Sequence, residues 1–337
     1  MNSSISSSDL GRWRGFLALY AKLALGLGLA AAALLVVADP YDSGRFALFG
    51  RGMLAKTGPR LADASRGRNP AFDSAVIGNS HSQILSPERL SEGLGGRFVS
   101  LSIPGTGPRE QLLVAEWFLR HHGGGTRTLV VGVDQSWCRP DALTTQVNPF
   151  PDWLYAESAV EYLRGLMQTS SFEAVGKKIG VMLGKAIPAR PDGFDDYEAD
   201  RTWSADDMHR IAKTQMPDLA PARGQVAPSS MAAVAALDGF LARLPAQVAV
   251  VAVFPPVHTS VFPPQGTVSG ANLAACKSAV QALAAARPRQ LAVVDFLRDD
   301  DLARAEENFW DGTHYRGHVA RRMEQAVAQA AARLRGN

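Results

Sequence analysis

The sequence predicts a doubly wound α/β domain on a parallel sheet of about five strands, behind an N-terminal transmembrane helix. Three observations predict it. Short, continuous apolar runs recur after residue 70, as in strands buried on both faces. Segments with helical apolar spacing alternate with those runs. An apolar stretch of bilayer length lies before residue 40.

In chain order, residues 1–14 are a Ser-rich tail and 15–38 the anchor. Between Gly15 and Ala38 the only charge is Lys22, and the apolar length is close to the roughly 20 residues that cross a bilayer. Lys22 lies toward the N-terminal end, where its stem can carry the ammonium to the interface. Arg12, Arg14 and Lys22 precede the core of the span, and Asp39 and Asp42 follow it. The positive-inside rule therefore puts the tail in the cytoplasm and the rest beyond the inner (cytoplasmic) membrane, on its periplasmic or extracytoplasmic side. A cleaved signal peptide ending at Val36–Ala38 competes, but the stretch exceeds the roughly 7–15 apolar residues of such signals.

Residues 39–70 read as a connector with short helical pieces, and 71–337 as the domain proper. Strands are expected at Ser74–Ile77, Phe98–Leu101, Thr128–Val133, Val248–Phe254 and Leu291–Phe296. Helices are expected at Pro87–Leu94, Arg109–His121, Met231–Leu244, Asn272–Ala286 and Gly317–Leu334. The stretch from about 140 to 245 is too long for a simple crossover and reads as an insertion after the third strand. It contains two helical segments, Ser158–Met167 and Phe172–Leu183, and the acidic, aromatic run "PDGFDDYEADRTWSADD". It is either a cap over the site or a peripheral decoration. As a cap, its Trp153, Tyr155, Tyr197 and Trp203 are candidates for gripping a glycan.

Composition narrows the function classes. With 337 residues, 46% of them hydrophobic, the chain can bury a substantial core. A net charge of +3 without a Lys/Arg run argues against a nucleic-acid partner. The two cysteines, Cys138 and Cys276, have no metal-ligand spacing; they either pair in an oxidising compartment or stay as separate thiols. No metal and no cofactor is expected, and a metal-dependent phosphoesterase lacks a ligand cluster.

Chemistry concentrates in two places. In "FDSAVIGNSHSQILSPERL" an apolar strand breaks at Gly78, Asn79, Ser80 and His81, at the carboxyl end where open α/β sheets place their sites. A serine alone is a poor nucleophile and needs a base held by a third group. In "NFWDGTHYRGHVARRM", Asp311 and His314 are three residues apart in a loop before the last helix. That spacing allows the carboxylate to hold one ring nitrogen while the other faces a serine. His318, on the following helix, is a weaker base candidate. Adjacent His121 and His122, before a glycine run, read as a helix end and make a poor chelating pair.

"GNSHS" after the first strand, "SLSIPGTGPREQ" after the second and "DGTH" before the last helix resemble blocks of the SGNH/GDSL hydrolase superfamily, over about residues 72–336 apart from the insertion. The resemblance implies a flavodoxin-like, SGNH-hydrolase-like sheet. It further implies a Ser80–His314–Asp311 triad, and an oxyanion hole using the backbone N–H groups of Ser80 and Gly105. The third block departs from the family: "VVGVDQSWC" stands where Gly-x-Asn-Asp is usual. Asp134 or Gln135 falls near the expected asparagine, and only the Gln amide can donate to an oxyanion. Gln135 is therefore the expected third donor, with Asn79 as the substitute. Asn79, His81, Asp134, Trp137 and His258 are candidate substrate contacts, although a Pro-rigidified loop also accounts for His258 and core packing for Trp137.

The chemistry implied is acyl transfer from an ester through an acyl-serine. Water as acceptor gives an esterase or deacetylase; a sugar hydroxyl gives an O-acyltransferase. A membrane-anchored, outward-facing domain resembles the envelope proteins that O-acetylate polysaccharides, several beside a multi-pass membrane acyltransferase. A polysaccharide acceptor and such a membrane partner are therefore expected. A non-catalytic, membrane-tethered glycan-binding or assembly module on the same fold is the alternative.

Overall fold

A computed structural model of the chain describes residues 7–45, 54–56, 58–144, 149–215, 217, 219–222 and 226–336. Residues 1–6 of the expected tail, 46–53 and 57 of the expected connector, and 145–148, 216, 218 and 223–225 of the expected insertion lie outside the described residues.

Five strands, β1 (Ser74–Gly78), β2 (Phe98–Ser102), β3 (Thr128–Gly132), β4 (Ala249–Phe254) and β5 (Leu291–Asp295), form one parallel sheet in the order β2-β1-β3-β4-β5. This is the flavodoxin-like order, and its reversal point lies between β1 and β3. Every residue of β1 to β4 is buried, which is why β1, β3 and β4 show continuous apolar runs without alternation. The other edge strand, β5, is partly open. The outer edge of β2 is covered by a returning segment: the Ser100 N–H donates to the Asp192 carbonyl at 2.7 Å.

The helices, in chain order, are α1 (Ser7–Ala38), α2 (Pro59–Arg66), α3 (Pro87–Leu94), α4 (Pro108–His122), α5 (Asp152–Tyr155), α6 (Ala159–Leu166), α7 (Thr169–Met182), α8 (Ala205–Ala212), α9 (Ala232–Ala242), α10 (Val268–Ala286), α11 (Asp301–Arg304) and α12 (Gly317–Leu334). Helix α3 begins where Ser86 caps it and Pro87 fixes the first φ, and stops at the left-handed Gly95. It packs with α12 on one side of the sheet, where Leu90, Val319 and Met323 close over Val76, Val130 and Val251. Helices α4, α9 and α10 pack in sequence as the second layer, as right-handed crossovers in this strand order require.

The chain divides into two compact units. One comprises Thr57–Tyr155 and Ala189–Asn337 and holds the sheet; the other comprises Met1–Lys56 and Ala156–Pro188. Of the residues expected as one insertion at about 140–245 in a domain over 71–337, 156–188 fall in the second unit and the others in the unit that holds the sheet. Within their own unit, residues 156–188 bury Tyr162, Ser171 and Lys178 near the end of α1. In that second unit Lys178 Nζ donates to the Asp39 carbonyl at 2.8 Å and Tyr162 Oη to Asp39 Oδ1 at 3.2 Å. Over Gly11–Ala38, α1 is long and apolar enough to cross a membrane, and that stretch is almost entirely exposed.

Cys138, at the end of the short turn after β3, and Cys276 of α10 are joined in a disulfide, with Cα atoms 5.2 Å apart and a sequence separation of 138. Closing so long a loop restricts the unfolded chain by about 4–5 kcal/mol on the chain-entropy account. Reduction, or Cys276→Ser, is therefore expected to lower the midpoint of thermal unfolding clearly. An unchanged midpoint after verified reduction would refute that role.

Candidate active site

The short turn Ser80–Ser82 follows β1 directly and folds back against two strand ends. Ser82 is buried between Gly78 and Gly132, where a Cβ would lie 2.4 and 2.1 Å from its Oγ. That close approach explains the glycine at the end of an otherwise apolar strand. Asn79 caps the turn, its Oδ1 accepting from the His81 N–H at 3.1 Å. Ser80 is thereby presented beyond the carboxyl end of β1, at the reversal point of the sheet.

The loop before α12 brings the other two groups. His314 Nε2 lies 2.9 Å from Ser80 Oγ, and His314 Nδ1 lies 2.7 Å from Asp311 Oδ2. Asp311 also shapes its own loop: Oδ1 accepts from the N–H groups of Thr313 at 2.7 Å and His314 at 2.8 Å. Burial raises the affinity of this carboxyl for a proton. The His314 imidazole and the two N–H groups outweigh burial and hold it well below the usual carboxylate range. Asp311 is therefore ionised at neutral pH and orients the imidazole. A base aligned on a serine, itself aligned by a carboxylate, is the arrangement that activates a hydroxyl for attack on a carbonyl.

The loop after β3 supplies Asp134 and Gln135. Asp134 is buried and accepts from Ser136 N–H at 3.0 Å and from the Asn79 amide, while His81 Nδ1 lies 3.0 Å away, off the hydrogen-bond line. Burial pushes this carboxyl up, but the His81 imidazole, Ser136 and Asn79 overcome it and hold the group below its ordinary value. Asp134 is thus an acceptor that ties the β1 and β3 loops together. Gln135 Nε2 is buried and has no hydrogen-bond partner among the described residues. Asn79, the expected substitute donor, is corrected: its oxygen serves His81 and its nitrogen serves Asp134, so neither end is free.

Gly105 lies exposed in the turn after β2 at φ +70°, a conformation that glycine adopts without strain. Gln111 links this turn to the β3 loop, donating to the Thr106 carbonyl at 3.1 Å and accepting from Trp137 Nε1 at 2.8 Å. Trp137 is fully buried, so its expected substrate contact is corrected to a core role. His258 is also turned inward. Its Nδ1 contacts Ser260 Oγ at 2.8 Å, its backbone N–H donates to the Gly312 carbonyl at 2.9 Å, and burial lowers the basicity of the ring. It braces the Asp311–His314 loop. His81 stays near the site, its ring 5.3 Å from that of His314. His318 faces Asn308 Oδ1 at 2.7 Å, away from Ser80, and His121 and His122 bond to nearby carbonyls at the end of α4. A cavity of ≈ 610 Å³ opens next to His81, lined further by Asp134, Gln135, Arg139 and Asn272 and by none of the three triad residues.

Several bracing residues were not expected. Glu198 Oε1 accepts from Trp310 Nε1 at 2.9 Å and from Arg316 Nε at 3.3 Å, and its Oε2 accepts from the Gly317 N–H at 2.7 Å. Tyr197 Oη donates to the Tyr315 carbonyl at 2.7 Å, Trp203 Nε1 to that of Phe309 at 2.8 Å, and Gln215 Nε2 contacts Thr313 Oγ1 at 3.2 Å. The acidic, aromatic run therefore clamps the His314 loop. Tyr155 is buried, which removes one of the four expected glycan contacts, while Tyr197 and Trp203 are half-buried with their polar atoms spent on the loop. The signal in the sequence was the clustering of acids and aromatics; their partners, more than 95 residues away, left no local trace.

Fold and site together define a flavodoxin-like α/β domain with a Ser–His–Asp constellation at its reversal point. Compared with known proteins, the chain matches no family model and no curated protein.

Proposed function

We propose that the chain is a serine acyltransferase of SGNH type, held on the outer side of the inner membrane by α1, that O-acetylates an envelope or secreted polysaccharide. The observation that carries the enzymatic part is the continuous hydrogen-bonded path from Ser80 Oγ through His314 to Asp311. Ser80 Oγ attacks the carbonyl carbon of an acetyl ester while His314 Nε2 takes its proton. The negative charge on the carbonyl oxygen is met by the Ser80 and Gly105 N–H groups, with Gln135 Nε2 as third donor. Collapse expels the donor alcohol, which receives the proton from His314. A sugar hydroxyl, deprotonated by the same imidazole, then attacks the acetyl-serine; the acyl–Oγ bond breaks, the sugar leaves as the ester, and Ser80 Oγ takes the proton back from His314. The aligned triad favours an enzyme over a passive glycan-binding module. The disulfide supports an oxidising, extracytoplasmic location, and the apolar α1 supports anchoring, with a multi-pass acyltransferase as the donor-side partner.

The acceptor decides between transferase and esterase. Full-length protein in detergent, given 4-nitrophenyl acetate and a neutral oligosaccharide, is expected to yield acetylated oligosaccharide. That product should be absent with Ser80→Ala. Release of free acetate alone, undiminished at high acceptor concentration, would assign an esterase and overturn the transferase reading.

A further inference from the structure

Helix α7 has a packed side, largely polar, and an apolar side that is left exposed. The packed side carries Ser171, Val175 and Lys178, spaced as one helical face. Ser171 Oγ lies 3.2 Å from Tyr41 Oη, and Lys178 Nζ holds the Asp39 carbonyl, so α7 sits at the level of the last turn of α1. About 100° around the helix stand Phe172, Gly176, Ile179 and Leu183, again on one face. Phe172, Ile179, Met182, Leu183 and Ile187 are 42–71% exposed. The remaining side is polar, with Glu173 and Lys177 exposed.

Length fixes what this stripe meets. At ~1.5 Å per residue, about 20 residues cross a hydrocarbon core of ~30 Å. Counted from Arg14, the core ends near Leu34, so the turn after Leu35 and the α7 packed against it fall in the outer headgroup region. The stripe also continues the lipid-type surface of α1, whose Leu25, Leu27 and Leu29 are 62–73% exposed. An apolar face beside a polar one at that depth suits a helix lying in the membrane interface.

We propose that the Phe172–Gly176–Ile179–Leu183 stripe of α7 is seated in the outer-leaflet phospholipid interface, making α7 a second, in-plane element of the anchor. This rests on the reading of α1 as a membrane span. The test uses full-length protein in vesicles of phosphatidylethanolamine and phosphatidylglycerol, with nitroxide labels on Gly176→Cys, Ile179→Cys, Glu173→Cys and Leu27→Cys. A Cβ added at Gly176 meets no atom within 4 Å, so the label starts into open space. Positions 176 and 179 are expected to collide severalfold more with oxygen than with a water-soluble nickel chelate, with the order reversed at 173. If 176 and 179 are as open to nickel as 173 while 27 is shielded, the inference is overturned and the anchor stands. If 27 is also open to nickel, the anchor reading itself falls. Shielding of 176 and 179 from both reagents, persisting in detergent, would show a protein contact and would also overturn the lipid assignment.

Discussion

Ser80→Ala and His314→Ala are each expected to abolish covalent labelling of the protein by a fluorophosphonate, and to lower acyl transfer by about 10⁴–10⁶-fold. The size follows from how the groups act as a unit. Without Oγ there is no acyl-enzyme; without the imidazole, 2.9 Å from Oγ, the hydroxyl keeps its proton. Asp311→Asn should fall short of these by leaving the loop partly supported while losing the carboxylate that orients Nδ1, a cost of about 10⁴-fold. Labelling that maps to Ser80 and disappears in both alanine variants, each shown to be folded by its thermal transition, is the supporting result. A folded wild type that takes no label would refute an autonomous nucleophile at Ser80 and favour the binding-module reading.

Glu198→Ala is expected to damage the site by a different route and to a smaller extent. The carboxylate receives three donors, from Trp310, Arg316 and Gly317, and these flank the Asp311–His314 segment on both sides. Each charge-assisted bond contributes about 1.5–3 kcal/mol, and the side chain is largely shielded from solvent. Since the contacts are not additive, a net loss of about 2–4 kcal/mol is expected, with the labelling rate at Ser80 reduced about 10–100-fold as His314 loses its position. Glu198→Gln keeps one acceptor and should recover part of both. A merely structural role would lower stability alone; an unchanged labelling rate in a folded Glu198→Ala variant would refute the positioning role.

The strands were readable because β1, β3 and β4 are covered on both faces, so their apolar runs are unbroken, and α3 was readable because its cap, first proline and terminal glycine are local chemistry. Ser80, Asp311 and His314 stood out for the same reason: each sits where a recognisable element ends. Gln135 and Asn79 could not be told apart in the sequence, since both are amides next to the site. Only the partners decide between them, and Asn79 is spent on His81 and Asp134 while Gln135 Nε2 has none among the described residues.

The long segment after β3 shows the limit most clearly. Its length announced that it was no crossover, and its composition offered helices and aromatics. Nothing in it announced that residues 156–188 join the end of α1 while residues 189–215 return to the sheet unit and clamp the His314 loop.

By itself, the sequence determined what is set by neighbours a few residues apart: the membrane-length α1, the alternation of strands and helices, the caps, and the identities of a serine, a histidine and an aspartate at element ends. The tertiary structure alone decided that Ser80 and His314, 234 residues apart, lie within one hydrogen bond. It also decided that Cys138 meets Cys276, that Glu198 reaches the loop before α12, and that one face of α7 is left open. The physical reason is range. Propensity and periodicity act over one or two turns of chain, whereas a catalytic contact is fixed by which faces the sheet and its helices bury, and that is settled by the fold as a whole.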